Sequence, residues 1–536
     1  MNPARMPPTL ERRGQPAAPG IAAGPLVRLA TAGVRRAGSG DPGRERRALS
    51  EAIGKAVAAL AGLIEAASGD AAEILAFQVA MLEDEALSAP AFERIDAGHD
   101  AASAWQAAID AETAGYQAAD TDYFRARAAD LRDIRDRVLR ALDGTDDDSF
   151  PPGAVLVGED VTPSRFLGID WTAGGALALF AGSSSSHVAM LARARGVPMV
   201  VGLGAFDEDG HRDAIVDGTA GRVVLSPGKP EWAAFETERA RSRGRDAEEA
   251  AAARNPAATA GGDRVSVMIN IAGADELAGL DPAICDGIGL VRTEFLFRQD
   301  GVLPGEEEQY AVYRRVLEWA GSRPVVLRTL DAGGDKPIAG LTIPGESNPF
   351  LGTRGIRLSL ARPDVFRVQL RAMARAAVHG NARIMLPMVT VPSEIDAAAA
   401  LLDDAVRDLS AAGIACRRPP LGIMVEVPAV AAAPEIFARA AFFSIGSNDL
   451  TQYVTAAARD IAAVAPLNDP GHPAVTRLIR NVVEAGKALG REVSLCGDMG
   501  GEPRHIPVLI AAGLRSVSVA PRLVGRTKLA VAAARS

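Results

Sequence analysis

Residues 442–453 read FFSIGSNDLTQY, an apolar run that stops abruptly on Asn448 and Asp449, a carboxamide beside a carboxylate. Barrel enzymes build active sites from apolar runs that end in metal- or phosphate-binding side chains, because side chains at strand ends are rigidly held yet open to solvent. Seven more short apolar or β-branched runs lie beyond residue 262: VSVMIN (265–270), GIGLVRTE (287–294), PVVLRTLD (324–331), ARIMLPMV (382–389), LGIMVEV (421–427), VSLCGDM (493–499) and SVSVA (516–520). Helix-like segments such as 397–410 and 474–489 separate them. Strands alternating with helices predict a parallel β/α fold, and eight such units predict a TIM (β/α)8 barrel.

Polar residues collect at the far ends of these runs: Asn270, Arg292 with Glu294, Arg328 with Asp331, Glu426, Asn448 with Asp449, and Cys496 with Asp498. Glu426 and Asp449 end the fifth and sixth strands. They are expected to offer one Mg2+ two hard oxygen ligands, with water and substrate oxygens completing the shell. Arg292 and Arg328 end the second and third strands, and guanidinium forks suit phosphate and carboxylate oxygens. Taken singly, an Arg or Glu near a strand end reads more readily as a structural salt bridge. Their gathering at one barrel face points to a small, anionic, phosphorylated substrate.

The chain has 536 residues, enough for two to four domains, and a formal charge of −9 with no dense basic block, which argues against nucleic acid as a partner. Cys285, Cys416 and Cys496 are the only cysteines and lack CxxC spacing, so neither a disulfide framework nor a zinc site is expected and a reducing cytoplasm is. No run of about eighteen apolar residues occurs, so no membrane insertion is expected. The start, MNPARMPPTLERRGQPAAPG, is Pro- and Arg-rich without an apolar leader core, and residues 1–19 are expected to be a disordered arm.

Residues 44–143 are nearly free of Pro and Gly and show helical spacing in Ile53, Val57, Leu60 and Ile64, and in Leu131, Ile134, Val138 and Leu139. They predict a helical bundle. β-like pieces flank it, GIAAGPLVRL (20–29) before and several between 154 and 225 after, so the bundle reads as an insert in a β/α domain formed by 20–43 and 144–229. Residues 230–262, charged and Ala-rich and then NPAATAGG, read as a connecting helix and hinge before a barrel spanning 263–536.

In LFAGSSSSHVAMLARARGVPMVVG (179–202), Gly182 and four serines form a donor-rich loop, and an apolar helical segment starts directly after His187. A phosphoryl group on that imidazole would lie at a helix N-terminus, where unpaired N–H groups and the dipole favour negative charge. Histidine offers a neutral nitrogen nucleophile near neutral pH. The remaining histidines, His99, His211, His379, His472 and His505, share no ligand spacing and are assigned no catalytic role.

GLVRTEFLF (289–297), LRTLDAGGDKP (327–337), NPFLGTRGIR (348–357), GIMVEVPA (422–429), SIGSNDLTQY (444–453) and SLCGDMGG (494–501) resemble, in order, the signature blocks of the PEP-utilising enzymes. The first half is similar to Enzyme I of the bacterial phosphotransferase system, with echoes in APGIAAGP, VAMLEDEAL (79–87) and DYFRARAADLRDIRDRVLRAL (122–142). The resemblance implies a swivelling phosphohistidine domain carrying an inserted helical domain that docks an HPr-like phosphocarrier. It also implies a homodimer through the barrel. Phosphoenolpyruvate (PEP) would donate its phosphoryl group to His187, with Arg292, Arg328, Asn448 and Asp449 at the substrate and Glu426 and Asp449 on Mg2+. Cys496 matches the family's cysteine that protonates the enolate, giving pyruvate. Arg459 matches a phosphate-binding arginine, although the usual Asp-Arg-Gly-Asn reads Ala-Arg-Asp-Ile at 458–461. The histidine pattern, usually Gly-Gly-Arg-Thr-Ser-His, has serine at 184 and 185, and Val188 replaces a threonine.

Dikinases and PEP synthases resemble the chain less in its first half, since they place an ATP-grasp domain there, and no Walker-type loop is present. A non-catalytic relic would be expected to have lost barrel-end residues. The acceptor's pathway, whether sugar uptake, a regulatory branch or a dihydroxyacetone kinase, is not legible; the lack of an appended N-terminal sensor domain disfavours the nitrogen-type form.

Overall fold

Leu10, Ala17 and Ala18 draw the segment expected to be a disordered arm into a sheet. In a computed structural model, β1 (Leu10–Arg13) pairs antiparallel with a strand at Arg222–Leu225, and β2 (Gln15–Ala18) with one at Met199–Val201. Ala17 and Ala18 are buried. Both strands lie at sheet edges, where Pro16 and the charged Glu11, Arg12 and Arg13 are compatible with strand pairing and discourage further association. Composition therefore misled: a Pro- and Arg-rich stretch is also what an edge strand looks like. The structure describes all residues except 1–6, 30–37, 67–69, 118–121, 145–149, 185, 298–301, 335–337, 460, 462 and 536. It divides into two units, Met1–Arg243 and Gly244–Ser536.

In the first unit the sheet continues with β3 (Ile21–Arg28), β4 (Val155–Gly158), β5 (Ala176–Leu179), β6 (Met199–Val201), β7 (Asp213–Asp217) and β8 (Arg222–Leu225), in the order β1-β8-β7-β3-β4-β5-β6-β2. Between β3 and β4 come α1 (Pro42–Ala66), α2 (Asp70–Glu83), α3 (Glu85–Asp96), α4 (Ala101–Gln117) and α5 (Asp122–Asp143). Leu131, Ile134 and Val138 lie on one face of α5 and are buried with Leu49, Leu60, Trp105 and Ile109, so the apolar spacing marks the bundle's core. Two shorter helices, α6 (Pro163–Gly168) and α7 (His187–Arg195), follow β4 and β5.

α8 (Lys229–Ala253) carries the chain across the boundary between the units, with Phe235 its one buried residue among those described. The stretch 255–262, expected to be a hinge, is sewn to the second unit. β9 (Ala257–Ala258) pairs antiparallel with the first barrel strand, Ala260 N–H donates to the Ala534 carbonyl (2.9 Å), and Thr259 is buried. Small side chains, which made the segment read as a linker, are also what lets backbone pack this closely. At the end of α8, Lys528 Nζ donates to the carbonyls of Ala253 (2.7 Å) and Ile284 (2.8 Å).

The barrel strands are β10 (Arg264–Ile271), β11 (Ile288–Val291), β12 (Pro324–Arg328), β13 (Asn381–Leu386), β14 (Leu421–Val425), β15 (Phe442–Ile445), β16 (Glu492–Leu495) and β17 (Ser516–Val519). Each pairs in parallel with the next, and β17 and β11 both pair with β10, closing the ring. All eight apolar runs read from the sequence are these strands. Residues alternate between the two faces: Leu421, Ile423 and Val425 join the large outer core, while Met424 packs with Leu290, Val326, Met385, Phe442 and Cys496 in a separate cluster.

Gly525 packs so closely on α8 that a Cβ there would lie 2.0 Å from the Glu249 carbonyl oxygen. Gly525→Val should therefore cost about 1–3 kcal/mol by overpacking. Thermal melting and the rate of tryptic cleavage after Arg254 check this: both should shift, and neither would if the end of α8 were undocked.

Candidate active site

β14 and β15 pair Val425 with Ile445, so Glu426 and Gly446 leave the barrel side by side. β15 ends at Ile445, and Asn448 and Asp449 lie in the first turn of the helix Ser447–Thr455 rather than on the strand. Arg328 is the last residue of β12, while Arg292, Glu426 and Cys496 each directly follow a strand.

These residues meet in a cluster of charge organised by Arg354, on the loop before the helix Ile356–Ala361. Its guanidinium donates to both Asp331 oxygens (3.0 and 3.0 Å) and both Asp449 oxygens (3.1 and 3.2 Å). Arg328 pairs with Glu294 (3.0 Å) and Asp331 (3.1 Å). Both guanidiniums are buried, which alone would lower their pKa values, but the surrounding carboxylates more than offset this and hold both charged. Arg354 lies in NPFLGTRGIR, on a loop rather than at a strand end, and so carries no role in the pattern of polar strand ends. The signal was there: the arginine is followed by Gly355, whose φ of 60° permits the tight turn.

Glu426 is fully buried, and its Oε1 accepts from Met388 N–H (2.6 Å). Met388 holds a φ of 58°, a left-handed conformation that costs a non-glycine residue energy and that no residue pattern marks. Glu426 Oε2 has no hydrogen-bond partner among the described residues. Burial first, then the charges of Asp449 and Asp331, push the Glu426 pKa up to about 8, with Arg328 and Arg354 opposing. An orphaned buried oxygen within a surplus of carboxylates fits a divalent cation. Gly446 keeps the space open, since a Cβ there would lie 3.1 Å from that oxygen. Among the described residues no group of three or more His, Cys, Asp or Glu forms a metal cage. Mg2+ does not require one, because it usually takes one or two carboxylates and leaves the rest to water and phosphate.

Asn448 and Asp498 lock reciprocally: the amide Nδ2 donates to the carboxylate (2.9 Å), and Asp498 N–H donates to Asn448 Oδ1 (2.9 Å). Cys496 is buried, and desolvation pushes its thiol up to about 11, with Arg328 and Arg292 among the groups opposing. Arg292 is exposed after β11, and Arg459 is exposed beyond Thr455, next to Asp460, which lies outside the described residues.

In the first unit, His187 opens α7, with Ser186 as N-cap, its hydroxyl accepting from Ala189 N–H (3.2 Å). Arg193 braces the serine loop, donating to the carbonyls of Ser184 (2.9 Å) and Ala17 (2.6 Å). The departure at Ser185 lies outside the described residues. His187 is partly exposed on the wall of a cavity of about 440 Å3.

Two outcomes test this chemistry. Cys496 should resist maleimide at pH 7–8 while the less buried Cys416 reacts, as read by peptide mass spectrometry. Folded Glu426 keeps its proton to higher pH than an exposed glutamate, so the stability it lends is complete below about 4.5 and lost as pH rises towards 8. Chemical denaturation of the metal-free chain should show that decline, and Glu426→Gln should flatten it.

Residues 246–536 match the PEP-binding domain of the PEP-utilising enzymes, residues 13–127 their N-terminal domain and residues 150–221 their mobile domain. The chain is 39% identical over 468 residues to a phosphoenolpyruvate-protein phosphotransferase of Bacillus sp. (strain S), covering 85% of this chain and 80% of that protein. It is 36% identical over 531 residues to a multiphosphoryl transfer protein of Xanthomonas campestris pv. campestris, covering 96% of this chain and 62% of that protein. Among solved structures, an N-terminal domain of Enzyme 1 - Nitrogen aligns with 27% identity and a TM-score of 0.34, over 43% of this chain and 99% of that one. With all three domain types present in order and such identity to phosphoenolpyruvate-protein phosphotransferases across most of its length, the chain belongs to the PEP-utilising enzyme family.

Proposed function

We propose that the chain transfers the phosphoryl group of PEP to His187 and then to a histidine of an HPr-like phosphocarrier, releasing pyruvate. The observation that carries this reading is the barrel mouth, where buried guanidiniums, an orphaned carboxylate oxygen and a protonated thiol stand together.

PEP would place its phosphate against Arg292, Arg328 and Arg459. Asn448 commits one amide N–H to Asp498, which fixes the side chain and leaves the other N–H for a phosphate oxygen. Arg354 would orient Asp449 towards the same substrate. Mg2+, held by Glu426 and Asp449, would neutralise charge on the phosphate and carboxylate. A neutral imidazole nitrogen of His187 attacks phosphorus in line, the N–P bond forms as the P–O bond breaks, and the electron pair leaves on the enolate oxygen. Carbon C3 of the enolate then takes the proton of Cys496, and the thiolate regains one from water. A thiol held near 11 still carries its proton at neutral pH, as that step requires.

The helical insert is the surface this reading gives to the phosphocarrier. One histidine serving both PEP and a protein acceptor is what swivelling of the phosphohistidine domain would provide. No helix among the described residues is long and apolar enough to cross a membrane. Cytoplasmic residence and a homodimer through the barrel complete the proposal.

Incubation with labelled PEP and Mg2+, without ATP, should give acid-labile, base-stable label on wild type and none on His187→Gln. Label that requires ATP would point to a dikinase, and no label under any condition to a relic. Cys496→Ser should still label His187 while slowing pyruvate formation by about 10²–10⁴-fold, the usual worth of a general acid.

A further inference from the structure

A guanidinium has five N–H groups, and those of Arg354 are all committed. Nε and one Nη2 hydrogen go to Asp331, the other Nη2 hydrogen and one Nη1 hydrogen go to Asp449, and the remaining Nη1 hydrogen goes to the hydroxyl of Tyr453 (3.3 Å). Tyr453 takes no part in the transfer chemistry. It follows Asp449 by four residues on the helix Ser447–Thr455, one turn on along the same face, so a single nitrogen of Arg354 reaches both.

The tyrosine hydroxyl has one hydrogen, and its short contact with the Phe350 carbonyl (2.6 Å) takes it. Towards Arg354 the same oxygen is therefore an acceptor. Phe350 precedes Arg354 on one loop, and its ring centroid is 6.0 Å from the guanidinium carbon. The Met388 sulfur lies 3.9 Å from the hydroxyl, and Met388 N–H is the donor to Glu426. One hydroxyl thus ties the helix that carries Asn448 and Asp449 to the loop that carries Arg354. Four of the Arg354 bonds run to carboxylates, whose charge holds them. The fifth runs to a neutral oxygen and is the longest of the set, so it fixes direction rather than charge. Without it, Nη1 has a spare N–H and nothing keeps the fork from tilting off Asp449.

Resting on the reading of Asp449 as a metal ligand, we propose that Tyr453 is a positioning residue: it aims Arg354 at Asp449, and through Arg354 sets the angle at which that carboxylate meets the divalent cation. It acts through the guanidinium, not by contact with PEP.

The full chain is assayed for His187 labelling from labelled PEP across a range of Mg2+ concentrations. Tyr453→Phe, which removes the hydroxyl and keeps the ring, should raise the Mg2+ concentration for half-maximal rate about tenfold, the worth of one hydrogen bond to a charged group. In an Arg354→Lys chain, whose amine cannot make the same fork, Tyr453→Phe should add less than about twofold, because the tyrosine then has nothing to aim. A tyrosine that only braces the loop would lower the melting temperature without moving the Mg2+ midpoint, or would cost the same in both backgrounds. Either result overturns the proposal and leaves the proposed function standing. Should Arg354→Lys fail to fold, an unmoved midpoint in Tyr453→Phe overturns it alone. A second readout needs no turnover. The chain has five tyrosines, so 3-fluorotyrosine gives five 19F resonances, and the one missing from Tyr453→Phe belongs to residue 453. That resonance should move in Arg354→Lys. An unmoved resonance overturns the proposal whether or not PEP labels the chain, and a moved one in a chain that PEP never labels keeps Tyr453 on Arg354 and removes the proposed function.

Discussion

A single guanidinium, that of Arg354, grips Asp331 and Asp449 at once, and the charge balance around it decides what the barrel mouth can hold. Removing one partner from a buried ion cluster typically costs about 3–5 kcal/mol, because the other charges are left stranded. The cluster is not neutral by itself. Glu294, Asp331, Glu426 and Asp449 face two buried guanidiniums, Arg328 and Arg354, and burial, together with the neighbouring carboxylates, raises the Glu426 pKa. Surplus carboxylate charge of this kind favours a nearby cation. The barrel fold makes the imbalance sustainable, since the carboxylates are carried by strand ends and loops anchored in one continuous core.

In the first unit both signs of charge meet at the cavity beside His187, and the histidine stands at a helix N-terminus, where the dipole favours negative charge.

Most of the architecture could be read from the chain because short apolar runs and helical spacing report burial directly. Leu131, Ile134 and Val138 announced a bundle face, and the eight barrel strands announced themselves by length and by the polar residues beyond them. Reading failed where two structures share one composition. Pro16 and its charged neighbours suit an edge strand as well as a loose arm, and Ala257 to Thr259 suit tight packing as well as a linker. Arg328, Glu426 and Cys496 stand at strand ends as read, whereas Asp449 lies one step further, in the first turn of the helix that follows its strand. Arg354 and Met388 escaped because their positions follow from loop geometry, which periodicity does not encode.

Gly446 carries a consequence for how such a chain can drift. The strand before it and the helix after it would tolerate alanine, and nothing in local propensity resists the exchange. Yet the added methyl would crowd both the unpartnered Glu426 oxygen and the Met424 side chain, each 3.1 Å from where it would stand. A larger residue at 446 would have to press these neighbours back by a few tenths of an ångström, so drift there strains the buried carboxylate of Glu426 while the backbone pairing of β14 with β15 stays intact.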